Sequence, residues 1–552
     1  MMYNTSSNRV AIVGAVLLCV ALLACAQPGP TPQAIGPFLV PYPQHLQQGE
    51  VTLPVDPKQF TIATTSSSQI LKINIQRYQK LFFSAGPAQQ HTSAVAALTL
   101  NINVASDNED LFLGVDESYS IVANSHELTI TANTVYGAVR ALETFSQLIT
   151  FARPANTYSI QYTPITIKDY PRFQWRGMLV DSGRHYLPVD FILHILDTLA
   201  YAKFNVLHWH IVDAQSFPVQ SSTYPDLTNG AYNPIAIYTH DQIQQVIAYG
   251  KTYGIRVVPE FDIPGHSASW GVGYPQLLAS CPSYASNTNN LLLNIADQYT
   301  YTFIKNLFTE ITPLFPDNYF HTGGDEVILD CWSEDPSIVA WMTQNNYSLV
   351  EAEQYFETQM SNILASLNRT KIVWNDPYIN GVQLDQNTVI QVWDVSNVTQ
   401  QIINNGFKAI VANAYYLDKQ VPSPFNKIHY EWQDTWQDFY SYDPMYGITE
   451  NGDNILGAEA CMWGDQLNQV QFDVQVWPRS LAIAERFWSN EAIVNIDDAL
   501  VRIEAQSCSI AKRGVNSGPL FPDFCFLPAD VPSGQHPILR LTPEQVASIL
   551  RK

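Results

Sequence analysis

The chain has 552 residues, more than one ordinary hydrophobic core holds, so its length predicts a large domain with a smaller one beside it. Apolar residues make up 46% of it, enough for a real interior, which excludes global disorder. A formal net charge of −22 repels phosphate backbones and excludes nucleic acid as a partner.

The N-terminus reads as an address. Arg9 precedes an apolar run from Val10 to Ala24, followed by the small-residue pattern Ala24-Cys25-Ala26. This predicts a signal peptide over residues 1–26, cut before Gln27. An uncleaved anchor uses the same run, and Leu22-Leu23-Ala24-Cys25 resembles a bacterial lipoprotein box. Sequons at Asn346, Asn368 and Asn397 favour a eukaryotic secretory route, hence a secreted or lysosomal protein. No later segment is long and apolar enough to predict a membrane span. Removing the signal leaves Cys281, Cys331, Cys461, Cys508 and Cys525, an odd set that predicts two bridges and one buried thiol. No Cys-x-x-Cys spacing points to structural zinc.

Residues 27–169 predict a small α+β domain. Pro28 to Pro43 is proline-rich and extended. Ala97 to Val104 alternates as a strand does, and Tyr119–Ala123 and Leu128–Ala132 flank Asn124-Ser125 as a hairpin. Thr134 to Ile149 carries apolar residues at helical spacing.

The pattern changes at Asp169-Tyr170-Pro171. Strands are predicted at Arg176–Asp181, Asn205–Val212, Ile255–Phe261, Tyr319–Thr322, Lys371–Trp374, Val389–Trp393, Phe407–Ala412 and Ile455–Met462. Helices are predicted at Val189–Lys203, Asp241–Tyr253, Gln298–Thr309 and Val474–Phe487. Repeated strand–helix units over residues 170–552 predict an α/β fold, a (β/α)₈ TIM barrel. In such barrels chemistry sits after the C-terminal ends of the strands. Polar or aromatic clusters follow every predicted strand: Asp181 to His185, His208-Trp209-His210 with Asp213, Glu260 to Asp262 with His266, Gly323 to Glu326, Trp374-Asn375-Asp376, Trp393-Asp394, Tyr415 to Asp418, and Trp463-Gly464-Asp465.

His321-Thr322-Gly323-Gly324-Asp325-Glu326 carries two glycines, which permit a tight turn, and two adjacent carboxylates. Close acids resist double ionisation, so one of the pair titrates high and holds a proton for general acid catalysis. A solvated acidic turn is the bland alternative. Sequence neighbours are poorly placed to face each other across a glycosidic bond, where two-carboxylate hydrolysis needs a gap of about 5 Å or more. A 2-acetamido oxygen of the substrate attacking the anomeric carbon removes that requirement.

Arg176 to Asp181, Ser182 to Tyr186, His208 to His210, Pro264-Gly265-His266, His321 to Val327, Trp463-Gly464 and Ala484-Glu485-Arg486 together resemble glycoside hydrolase family 20, the β-N-acetylhexosaminidases, and are close to the lysosomal hexosaminidase subunits of animals. The resemblance implies a retaining glycosidase that removes terminal β-linked N-acetylglucosamine or N-acetylgalactosamine from an oligosaccharide or glycoconjugate through an oxazolinium intermediate. It implies no metal or other cofactor, and a homodimer. Glu326 resembles the general acid and Asp325 the residue that orients the acetamido group. Tyr416 is expected to bond the acetamido carbonyl, with Trp374, Trp393 and Trp463 walling the pocket. Arg176 is expected to bind ring hydroxyls, and Asp213 and His266 to set the protonation of Glu326. The cysteines resemble the family pairs Cys281–Cys331 and Cys508–Cys525, with Cys461 free.

Departures from the family pattern are Asp465 in place of glutamate, one methylene shorter in reach towards the outer hydroxyls, and the mixed pair Asp418-Lys419. An N-domain disulfide of the animal enzymes has no cysteines here. Glu485 and Arg486 read as a structural ion pair, and Tyr430 to Tyr442 as loop packing or a dimer contact. Two rival readings are a metal-dependent barrel hydrolase using His208, His210, Asp262 and His266, and an inactive sugar-binding protein on the same fold.

Overall fold

The computed structural model describes residues 36–88, 95–394, 396–419, 434–522, 525 and 540–551. The expected signal peptide and residues 430–433 of the aromatic stretch lie outside them.

The N-terminal strands are β1 (His45–Gln47), β2 (Val51–Val55), β3 (Phe60–Thr64), β4 (Leu98–Val104), β5 (Tyr119–Ala123), β6 (Leu128–Ala132), β7 (Ile149–Ala152), β8 (Thr157–Thr163) and β9 (Ile165–Asp169). Six form one sheet in the order β1-β9-β5-β6-β4-β3, and β2-β8-β7 form a second. Period-2 alternation decides the faces: β4 buries Leu98, Leu100 and Ile102 and exposes Thr99, Asn101 and Asn103. The predicted hairpin joins β5 to β6 antiparallel, its turn held by the Asn124 side chain accepting from the backbone of His126 and Glu127. Helix Val135–Leu148, capped by Thr134, brings Phe145 against Phe60 and Phe82.

The barrel strands are β10 (Trp175–Asp181), β11 (Val206–Val212), β12 (Arg256–Phe261), β13 (Tyr319–His321), β14 (Thr370–Trp374), β15 (Val389–Val392), β16 (Lys408–Val411) and β17 (Ile455–Met462). All pair parallel with their sequence neighbours, and β17 closes on β10. Each lies within a residue or so of its predicted span. An apolar layer of Trp175, Val206, Val258, Ile372, Val389 and Ile410 plugs the barrel. Two residues further along their strands, His208 and Glu260 turn the interior polar, joined by His321, Gln391 and Glu459.

Three expectations need correction. The predicted helix Val474–Phe487 is two helices, Gln469–Val476 and Arg479–Trp488, because Pro478 has no N–H to continue the first turn and stands as the cap of the second. Glu485 and Arg486 do not pair with each other: Glu485 takes Arg502 and Arg486 takes Asp443, since adjacent helical residues point to different faces. Arg176 lies at the foot of β10, 1% exposed, with Nη2 on Glu117 at 2.7 Å, Nε on the Lys203 carbonyl at 3.0 Å and Nη1 on the Phe173 carbonyl at 2.7 Å. All its nitrogens are committed, and the C-terminal end of β10 is five residues, roughly 16 Å, away. It fastens the N-terminal sheet domain to the barrel foot and touches no sugar pocket.

The disulfides join Cys281 to Cys331 and Cys508 to Cys525, and Cys461 is a buried free thiol. From the aromatic stretch, helix Trp436–Ser441 buries Trp436, Phe439 and Tyr440 against helix Arg479–Trp488, which is packing. Asn346, Asn368 and Asn397 are exposed. No helix among the described residues is long and apolar enough to cross a membrane.

Candidate active site

A cavity of about 420 Å³ opens at the C-terminal ends of the barrel strands. Asp325, Glu326, Trp374, Trp393, Tyr416, Asp418, Trp463 and Asp465 line it, together with Arg184, Asn289, Asp394, Asn413 and Lys419.

The turn after β13 presents the acids. Gly323 has φ +66°, and a Cβ there would sit 1.7 Å from Asp262 Oδ1, so only glycine lets the chain pass that carboxylate. Its neighbour Gly324 donates to the same oxygen at 3.0 Å. The turn leaves Asp325 buried at 8% exposure and Glu326, at φ +51°, with a side chain 57% exposed.

Behind the acids stands His266. Its Nδ1 is 3.3 Å from Asp213, and its Nε2 is 3.6 Å from Glu326 and 4.0 Å from Asp325. Burial opposes charge on His266, but Asp213 and Asp262 outweigh it and hold it as an imidazolium well above its ordinary range. Asp213 in turn is pushed up by burial and pulled well below its ordinary value by Arg184 and His266. Neither Asp213 nor His266 lines the cavity; both stand behind it.

The two acids are driven apart, in an order the sequence does not reveal. Burial, then the neighbouring carboxylates led by Asp262, push Asp325 well above the usual range. The His266 imidazole, 3.6 Å away, pulls Glu326 down. Asp325 therefore favours its acid form more strongly than Glu326 does, whereas the general acid must hold the proton when the bond breaks.

Indoles make the walls. Trp374, fully buried, donates its N–H to Glu260 at 2.7 Å, and its ring centre lies 5.7 Å from that of Trp463. Trp393 and Tyr416 stand 6.5 Å apart, ring to ring. Lys419 reaches Asp434 at 3.3 Å, and burial pushes the Asp418 carboxyl up to about 7.

The arginine of the pocket is Arg184, not Arg176. It follows β10, bonds Asp181 and Asp213 at 3.1 Å each, reaches Asp465 at 3.4 Å, and lies 5.0 Å over the Trp463 ring. Its place after the C-terminal end of a barrel strand was the signal that could have marked it. Asp376 was also missed as a site residue: it accepts from the Glu326 backbone and from the Trp393 indole.

Among the described residues, His208–Glu260–His321, His210–Asp213–Asp262 and Asp262–His266–Asp325 bring donor atoms within 4.8 Å of one another, the spacing a metal needs. His210, however, has both nitrogens engaged, by Glu260 and Asp213, so it could ligate a metal only by giving one bond up.

A closed parallel barrel with paired acids, an arginine and an indole-walled pocket at its C-terminal face defines a glycoside hydrolase of the barrel class. Residues 173–491 match the catalytic domain of glycosyl hydrolase family 20, and residues 39–148 match a domain described as beta-acetyl hexosaminidase like. The chain is 51% identical over 514 residues to beta-hexosaminidase subunit A1 of Dictyostelium discoideum, covering 93% of this chain and 96% of that protein. It is 36% identical over 535 residues to the mouse beta-hexosaminidase subunit alpha, covering 92% and 97%. A solved chitobiase of Flavobacterium johnsoniae superposes with a TM-score of 0.75 at 28% identity, over 87% of this chain and 73% of that one. The chain belongs to glycosyl hydrolase family 20 and is an enzyme of the β-N-acetylhexosaminidase type.

Proposed function

We propose that the protein hydrolyses terminal, non-reducing β-linked N-acetylglucosamine or N-acetylgalactosamine from glycans with retention of configuration, the substrate's acetamido group acting as nucleophile. The observation that carries this reading is the Oδ1 atom of Asp325. It is a buried acceptor with no protein partner, on the wall of an indole-lined cavity, beside a carboxylate open to that cavity. The N–H of a 2-acetamido group is a donor that would satisfy such an atom.

Substrate binding rearranges the charge. The acetamido N–H, donating to Asp325, favours its carboxylate, while the sugar covers Glu326 and favours its acid. His266 Nε2 lies between the two carboxyls. The acetamido oxygen then bonds C1 as the C1–O bond breaks, and Glu326 passes its proton to the departing oxygen. Asp325 balances the positive charge of the oxazolinium, and Tyr416 bonds the acetamido oxygen. In the second half Glu326 takes a proton from water, the water oxygen bonds C1, and the ring opens to restore the acetamide. Two inversions give retention. Arg184 and Asp465 hold the outer hydroxyls, Arg184 through its fork of donors.

The mature chain starts at Gln27, divides near residue 169, is secreted or lysosomal, carries glycans on its three exposed sequon asparagines, and pairs with a second copy. The term subunit in the relatives' names supports the last point. Light scattering of the purified protein tests it.

An aryl N-acetyl-β-glucosaminide assayed beside the corresponding aryl β-glucoside tests the chemistry. The glucoside is expected to react slower by several orders of magnitude, since the intramolecular nucleophile is gone. Equal rates overturn the reading.

A further inference from the structure

Asp376 opens the short helix Asp376–Ile379 directly after β14. Its two oxygens serve two different loops. Oδ1 accepts the backbone N–H of Glu326 at 3.1 Å, and Oδ2 accepts the indole N–H of Trp393 at 2.7 Å. One group lies after β13, the other after β15, so Asp376 joins the acid-bearing turn to the wall across the pocket.

The chemistry of those two groups is restrictive. A backbone amide and an indole N–H are donors only, and both face this one side chain. A carboxylate meets both with oxygen. An asparagine meets one with oxygen and the other with an NH₂ group, donor against donor. Glu326 also sits at φ +51°, a conformation that a non-glycine residue holds only when its surroundings impose it. The bond from its N–H to Asp376 is one such restraint.

We propose that Asp376 is a positioning residue that clamps the Glu326 turn to the Trp393 wall and fixes the acid relative to the bound sugar. This rests on the reading of Asp325 and Glu326 as the working carboxylates. The clamp also carries charge. Facing Asp376 are Glu326 and Asp325 from the turn after β13 and Glu353 from helix Leu349–Ser366; Asp325 is faced in turn by Asp262, Glu260 and His266. Asp376 is among the carboxylates that raise Asp325, after burial and Asp262. Removing its charge lets Asp325 ionise at lower pH.

The experiment uses the full-length protein, the variants Asp376→Asn and Trp393→Phe and their combination. An aryl N-acetyl-β-glucosaminide is assayed for kcat and KM across the acidic and neutral range. Asp376→Asn is expected to lower kcat roughly tenfold to a hundredfold, the scale of a misplaced reacting group, with KM changed less. Its acidic limb moves to lower pH. Trp393→Phe, which keeps a ring but deletes the N–H, is expected to lower kcat several-fold. The combined variant falls no further than Asp376→Asn alone, because both cut one clamp. Multiplying losses, or an acidic limb that stays in place, overturn the proposal. Should Asp376→Asn not fold, unchanged kcat in Trp393→Phe overturns it as well. The wild-type protein on a substrate without the acetamido group tests the underlying reading separately: equal cleavage there removes the Asp325–Glu326 assignment whatever the variants do.

Discussion

At the scale of single residues, what matters is which atom faces the cavity. Glu326 is the open carboxylate, 3.6 Å from His266, so Glu326→Gln removes its titratable group while keeping shape. It is expected to lower kcat by about two orders of magnitude or more on an aryl N-acetyl-β-glucosaminide, with KM little changed. The two arginines separate in the same assay. Arg184→Lys loses the fork that reaches Asp181, Asp213 and Asp465 and is expected to lower kcat/KM by about tenfold or more, with the protein still folded. Arg176→Met breaks a fully buried pair and leaves a Glu117 oxygen short of its partner, which costs about 3–5 kcal/mol of stability. What protein remains folded keeps its kcat. A melting curve beside a rate measurement distinguishes the two, and equal effects from both variants would contradict the placement of these arginines.

Elements set where those atoms stand. The turn after β13 must pass Asp262, and it does so because residue 323 has no side chain. Gly323→Ala meets both a positive φ and a carboxylate at bonding distance, so on the order of 2–5 kcal/mol of strain is expected, relieved by moving the turn. Activity is then lost with stability, and a variant with native melting temperature and native kcat would show that the turn has slack. Pro478 is the counterpart in a helix: a missing N–H, visible in the sequence, divides one amphipathic stretch into two helices, the second of which packs on helix Trp436–Ser441.

Over the whole molecule, buried titratable groups give stability a pH dependence with a definite sign. Burial raises Glu353 to about 8, against an ordinary 4.5, and Asp418 to about 7, against 3.8. Both favour their neutral forms in the fold, so each lowers stability as pH climbs from its unfolded value to its folded one. Burial lowers His208, but Glu459 and Glu260 overcome this and carry it to about 9. Its contribution is full below the ordinary histidine value of about 6.5 and disappears as pH rises through the folded one. Across roughly pH 5 to 8 the folded chain thus holds more protons than the unfolded chain, and stability falls with rising pH. Asp213 and Glu260, held well below the ordinary range, act in the opposite sense only at lower pH. The melting temperature is expected to be higher at pH 5 than at pH 8 at matched ionic strength. A higher value at pH 8 would mean that these groups do not carry the proton balance.

The alternation of strand and helix, the eight polar clusters in register and the glycine-gated acid pair were legible in the chain because each depends on residues close together in sequence. Periodicity, turn chemistry and short motifs are local. Arg176 and Arg184 both sit near β10 within one motif, and only the direction of the strand in the closed barrel tells which of them meets the pocket. Asp376 finds its two partners 50 and 17 residues away, so nothing near it announces the clamp. Which of Asp325 and Glu326 keeps the proton was likewise open, since two adjacent carboxyls are equivalent until one is buried among Asp262, Glu260 and Asp376 and the other is set beside His266. Local pattern is enough for the barrel and for the kinds of groups at its mouth. Which of them face the cavity, and which way their protonation is biased, follows from the fold, because burial and long-range neighbours are properties of the folded interior.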